Sequence, residues 1–165
     1  MPLAKHKIAP CLWFDGRAEE AARYYCSVFK NSRMGRVSYF PDSSQYAHGQ
    51  QAGSVLMAEF ELDGQPFYTL NGGPQFTFDE AVSFQIYCET QDEIDYYWNA
   101  LTGDGGEEGP CGWLKDKFGL SWQVVPRVIP EMMCAGGDKA ARVMDVFMQM
   151  KKLDLAEIER TYAGQ

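Results

Sequence analysis

Two side chains in this sequence are placed to act on a bound molecule: the carboxylate of Glu89 and the thiol of Cys111. Glu89 follows the alternating run Ser83 to Cys88 and shares the parity of Ser83, Gln85 and Tyr87, which makes it the candidate general acid or base. Cys111 stands between Pro110 and Gly112-Trp113 at a loop-to-strand junction, where a thiol is a candidate nucleophile. Activating that thiol calls for a base. The chain has two histidines, His6 and His48, neither close to Cys111 in sequence, and Lys115 is the nearest cation. Cys11 faces the same requirement, and an ordinary thiol is the simpler reading of both. Other charges read more plainly. Lys115, Asp116 and Lys117 fall in a tight turn between strands, where such groups are solvated. Glu59 and Glu61 alternate with Phe60 and Leu62, the pattern of a solvent-facing edge.

The elements that must position these groups follow from hydrophobic periodicity. Residues 8–14 read as a strand that Asp15-Gly16 breaks, followed by a helix with Ala18, Ala21, Ala22, Tyr25 and Phe29 along one stripe. Strands are expected at 34–40, 54–62 and 66–70, the last two joined by the hairpin signal Asp63-Gly64, with a long polar loop over 41–53. The pattern then restarts. Residues 81–89 form a strand, Thr90 to Glu93 a capping box, and Ile94, Tyr97, Trp98 and Leu101 a helical stripe. A shift of 72 residues lays Leu12 and Phe14 on Phe84 and Ile86, and Ala22 to Tyr25 on Ile94 to Tyr97, an internal duplication. A Gly-rich stretch, 103–109, leads to Trp113-Leu114, and a strand closes over 120–125. Beyond Pro126 the tail is helical, with one stripe of Ala140, Val143, Met144 and Phe147 and a last helix capped by Asp154. The methionines of this tail read as adaptable packing. The organisation is thus one domain, 1–165, with a first module over 8–74, a second over 80–126 and C-terminal helices over 127–165.

Successive strand residues point to opposite faces. With Leu12, Phe14, Phe84, Ile86, Cys88, Trp122 and Val124 assigned to the helices, the other face is expected to hold Cys11, Trp13, Phe67, Thr69, Asn71, Ser83, Gln85, Tyr87, Ser121 and Gln123. Aromatic surface studded with neutral hydrogen-bonding groups is how small-molecule pockets are lined. The plainer alternative is a face that packs on a partner subunit or on the tail. Five hydroxyl or amide groups in a dry interface would each need a partner, which favours a pocket.

Composition narrows the partners. With 15 Lys and Arg against 23 Asp and Glu the net charge is −8, which repels phosphate backbones and argues against nucleic acid. No apolar run approaches the ~20 residues of a membrane span, and 1–10 lacks the apolar core of a signal peptide. Five scattered cysteines without a CxxC pair read as reduced thiols of a cytoplasmic protein.

Four stretches carry a family resemblance: 8–15, 20–25, Leu70-Asn71-Gly72-Gly73-Pro74, and above all the run from Gly109-Pro110-Cys111-Gly112-Trp113 through Ser121-Trp122-Gln123 to Pro126. Over about residues 8–162 the sequence resembles the PhnB-like branch of the vicinal-oxygen-chelate (glyoxalase/bleomycin-resistance/dioxygenase) superfamily, whose domain name is 3-demethylubiquinone-9 3-methyltransferase. That resemblance implies an α+β fold of two βαβββ modules curled around a cup, with Trp113 added to the ligand-binding set, and a homodimer. Metal-using members of the superfamily carry His or Glu on the concave strands. The corresponding positions here lie near Ala9 or Cys11, near Thr69 or Asn71, and at Ser83 and Gln123, none of them His, Asp or Glu. A metal site and a cofactor are therefore not expected. A doubly wound methyltransferase needs a Gly-rich strand-to-helix loop, and neither Gly72-Gly73 nor 103–109 precedes such a helix. Two readings follow: a binding protein that holds a small, partly aromatic or amphipathic molecule, and a metal-independent lyase or isomerase of a small carbonyl compound. Methyl transfer ranks behind both.

Overall fold

The computed structural model describes residues 6–42 and 50–165; His48 and most of the polar loop expected at 41–53 lie outside the described residues. The chain divides into two compact units, 1–77 and 78–165. In the first, β1 (Cys11–Phe14), α1 (Ala18–Val28), β2 (Arg33–Tyr39), β3 (Val55–Leu62) and β4 (Gln65–Asn71) form a four-stranded sheet in the order β1-β4-β3-β2. β1 runs parallel to β4, and the other pairs are antiparallel. Asp63 and Gly64 both take positive φ, 45° and 80°, which is the two-residue turn the hairpin signal demands. That turn seats Leu62 opposite Gln65 and Phe60 opposite Phe67.

The stripe of α1 packs on this sheet, with Ala18, Ala21, Ala22 and Tyr25 fully buried. The Tyr25 ring stacks 6.1 Å from Phe60, and Phe60 stacks 5.4 Å from Phe67. This fixes the helix side of the sheet and corrects one expectation. Leu12 pairs with Thr69 and Phe14 with Asn71, so Phe67, Thr69 and Asn71 share the helix side with Leu12 and Phe14. The open side of β4 carries Tyr68 and Leu70 instead, beside Cys11 and Trp13.

The second unit repeats the plan: β5 (Ser83–Cys88), α2 (Gln91–Thr102), β6 (Glu107–Glu108), β7 (Trp113–Lys115) and β8 (Ser121–Pro126), in the order β5-β8-β7-β6 with β5 parallel to β8. The fold is α+β, two βαβββ modules with one four-stranded mixed sheet each. Thr90 caps α2 through its side chain, and Glu93 reaches back to the Glu89 N–H at 2.7 Å. The Gly-rich stretch hides the short strand β6. The tail holds three helices, α3 (Ile129–Ala135), α4 (Gly137–Phe147) and α5 (Leu155–Ala163), one more than its periodicity suggests. Their cluster of Ile129, Val143, Leu153 and Ile158 closes around Val125 of β8. Among the described residues no helix is long and apolar enough to cross a membrane.

Candidate functional site

The register of the second sheet aligns Ser83 with Ser121, Gln85 with both Gln123 and, through it, Trp113, and Tyr87 with Val125. Ser83, Gln85, Tyr87, Trp113, Lys115, Ser121 and Gln123 therefore share the side away from α2. Four of the neutral groups bond one another: Tyr87 Oη donates to Gln85, Gln85 Nε2 to Gln123 Oε1 at 3.4 Å, and Gln123 Nε2 to Ser83 Oγ at 2.8 Å. This chain of amides and hydroxyls holds its members in fixed directions.

Beside it lies a cavity of about 650 Å³. Trp113 and Ser121 belong to the open side of the sheet, Pro110 and Cys111 to the loop before β7, and Met144, Phe147 and Met148 to α4 and its end. Glu80, Glu107, Glu108, Gly109, Leu114 and Lys115 complete the lining. Lys115 Nζ sits 2.6 Å from Glu80 Oε1, and the pair holds the lysine above and the carboxyl below their ordinary values, through that hydrogen bond first. Glu108 accepts from the Trp98 indole at 2.9 Å.

Cys111 is 9% exposed and in the left-handed region at φ 56°. Its N–H donates to Met150 O and the Gly112 N–H to Lys151 O, both at 2.7 Å, so the loop is strapped to the segment after α4. Its Sγ lies 3.7 Å from Met148 Sδ. Glu89 is elsewhere, exposed at the end of β5 in an ion pair with Arg127, whose guanidinium also lies 5.6 Å from the centre of the Tyr87 ring. Of the two catalytic candidates the structure brings Cys111 to the cavity and leaves Glu89 outside it. Cys88, on the helix side and 1% exposed, has its thiol pushed up to about 12 by burial, which disfavours the thiolate.

In the first module the expected residues have packing tasks. Asn71 Oδ1 accepts from the Ala18 N–H at 2.9 Å at the start of α1, and its Nδ2 donates to Val55 O at 3.0 Å. Thr69 is fully buried. Trp13 lies over Gly72, where an added Cβ would come within 2.2 Å of its ring, and its Nε1 donates to Gly73 O at 2.8 Å. Cys11 is exposed. Sequence reasoning missed Met144, Phe147 and Met148 as cavity residues, because a stripe at helical spacing reads as core. It also missed Asp116, which is not a solvated turn charge: it is 2% exposed and accepts from the Phe118 and Leu120 N–H groups and the Trp122 indole.

The neutral oxygen and amide groups on the open side of the second sheet stand beside the Lys115 ammonium, and among the described residues no three His, Cys, Asp or Glu come together. That donor set does not suit a hard or borderline divalent ion.

A family model described as 3-demethylubiquinone-9 3-methyltransferase matches residues 6–125, which leaves the three tail helices beyond it. Among solved structures, a Bacillus cereus PhnB protein, described as a 3-demethylubiquinone-9 3-methyltransferase, is 34% identical with a TM-score of 0.63, over 73% of this chain and 99% of that one. A Pseudomonas aeruginosa protein shares the fold at 20% identity and a TM-score of 0.58, over 73% of this chain and 96% of its own. A gene product of Arabidopsis thaliana does so at 17% and 0.50, over 73% and 98%. No curated protein matches the chain. On the family match and the Bacillus cereus likeness together, the chain belongs to the 3-demethylubiquinone-9 3-methyltransferase family of PhnB-like proteins.

Proposed function

We propose that this protein binds a small, partly aromatic or amphipathic molecule on the open side of its second sheet and holds it without transferring a methyl group. The supporting observation is the cavity of about 650 Å³, within the size range of small-molecule sites, walled by Trp113, Phe147, Met144, Met148 and Pro110, with Ser121, Glu107, Glu108 and the Glu80–Lys115 pair also in its lining. The aromatic and thioether wall favours binding over catalysis, and Gln85, Tyr87, Ser83 and Gln123 extend the surface beside it. Neither sheet has the doubly wound order of a standard nucleotide-binding methyltransferase, whatever the family's name. The alternative, a lyase or isomerase of a small carbonyl compound, draws support from Cys111 in the cavity wall. The reading includes a homodimer in the cytoplasm, where the five free thiols stay reduced.

The test is titration with N-phenyl-1-naphthylamine, a neutral aromatic probe that brightens in apolar surroundings. Saturable one-to-one binding is expected, weakened at least tenfold by Trp113→Ala or Phe147→Ala and unchanged by Glu89→Gln. Binding that ignores both aromatic substitutions refutes the site. Light scattering of the eluting peak reads the dimer independently.

A further inference from the structure

The wall of the cavity gathers sulfur. Cys111 Sγ stands 3.7 Å from Met148 Sδ. Met144 precedes Met148 by four residues, hence on the same side of α4, and lines the same cavity. The thiol is not free to wander, because the hydrogen bonds to Met150 O and Lys151 O fix the backbone on both sides of it. Residues other than Gly, Asn and Asp seldom adopt Cys111's left-handed backbone, at φ 56°. The methionines, 43% and 61% exposed, can still turn about three side-chain bonds.

Two sulfurs bound to one ion at about 2.3 Å each stand no more than about 4.6 Å apart. The Cys111–Met148 pair already satisfies that limit, and Met144 lines the same cavity as a second thioether. One thiolate with two thioethers is a soft donor set, which selects Cu(I) over the hard and borderline divalent ions that want imidazole or carboxylate. Three carboxylates, Glu80, Glu107 and Glu108, stand against two ammonium groups, Lys115 and Lys151, so the sulfur donors rather than the local charge carry the selection.

We propose that Cys111, Met148 and Met144 form a binding site for one Cu(I) ion in this cavity. As the sulfur–copper bond forms, the Cys111 S–H releases its proton to solvent; the copper keeps its oxidation state and no co-reactant is required. The ion would sit in the wall of the same cavity proposed for the organic molecule, but the copper reading rests on the sulfur contact alone.

The experiment uses the full chain with the two exposed cysteines removed, Cys11→Ser and Cys134→Ser, titrated without oxygen with Cu(I) against the chromophoric chelator bicinchoninate. One Cu(I) per chain and one proton released are expected. Cys111→Ser should weaken binding at least a hundredfold and Met148→Leu about tenfold, with a smaller loss for Met144→Leu. Met148→Leu is at an exposed position and tests the site even where Cys111→Ser fails to fold. Met132→Leu, in the tail cluster, is the control and should change nothing. Absence of Cu(I) binding in the parent, or unchanged affinity in Cys111→Ser or Met148→Leu, overturns the proposal.

Discussion

At Asp116 a nearly buried carboxylate gathers two backbone N–H groups and one indole N–H, and it thereby closes the turn between β7 and β8. Losing it strands three donors, each costing ~1–3 kcal/mol if left unpaired. Asp116→Ala should therefore lower stability by at least about 3 kcal/mol in urea unfolding, while Asp116→Asn, which keeps one acceptor, should lose clearly less. Equal losses would show that shape rather than hydrogen bonding matters there. Glu59 departs from expectation in the same direction, being 8% exposed rather than at a solvated edge. The Arg36 guanidinium donates to it at 3.0 and 2.5 Å and holds its carboxyl below the usual range. A depressed carboxyl stabilises the fold above its unfolded pKa, near 4.3, and that contribution disappears as pH falls through the lower, folded value. Since Arg36 is 64% exposed, solvent screening keeps that contribution small. Glu59→Gln should then be less stable than the parent at pH 7, with the gap closing by pH 3. A gap that persists in acid contradicts the assignment.

The strand β4 shows where pattern reading succeeds and where it stops. Its sequence, Gln65 to Asn71, puts apolar residues on both parities, so alternation alone cannot orient it. The information lay one turn earlier. A two-residue Asp63-Gly64 turn places Phe67 opposite Phe60, and Phe60 points inward because Glu59 and Glu61 point out. In β5 and β8 each parity was distinctive, and there the open side was legible. The cavity was not, since its second wall comes from α4, and no strand pattern announces which helix will cover it. The same β4 explains the stretch Asn71-Gly72-Gly73 as construction rather than chemistry: Asn71 serves the start of α1, and Gly72 leaves room for the Trp13 ring. Gly72→Ala should cost roughly 1–3 kcal/mol by overpacking. In a Trp13→Ala background that penalty should largely vanish, which a double-mutant cycle in urea measures. Additive losses would mean that the glycine is required for another reason.

Across the whole molecule, one βαβββ plan occurs twice, while the tail occurs once and only on the second unit. The 72-residue self-similarity was enough to find the repeat, because helix phase and strand parity both survived it. The tail's attachment was not legible, because it rests on contacts between residues far apart in sequence. Gln91 in α2 accepts from the Leu155 N–H at 2.8 Å and donates to Leu153 O at 3.2 Å, while Met150 and Lys151 hold the Cys111 loop. Ile158 of α5 is fully buried in the tail cluster with Val143 of α4. Ile158→Ala should cost ~2–5 kcal/mol by leaving a cavity. The loss should also travel to the site, since α4 carries the wall over Cys111. In the Cys11→Ser, Cys134→Ser background, Cys111 is covered by Met148, so Ellman's reagent should reach it slowly. Loosening α5 should speed that reaction several-fold well below the unfolding midpoint, through local opening of the tail. If the rate rises only in step with global unfolding, the tail and the second sheet open together, and α4 is part of one cooperative core rather than a separable wall.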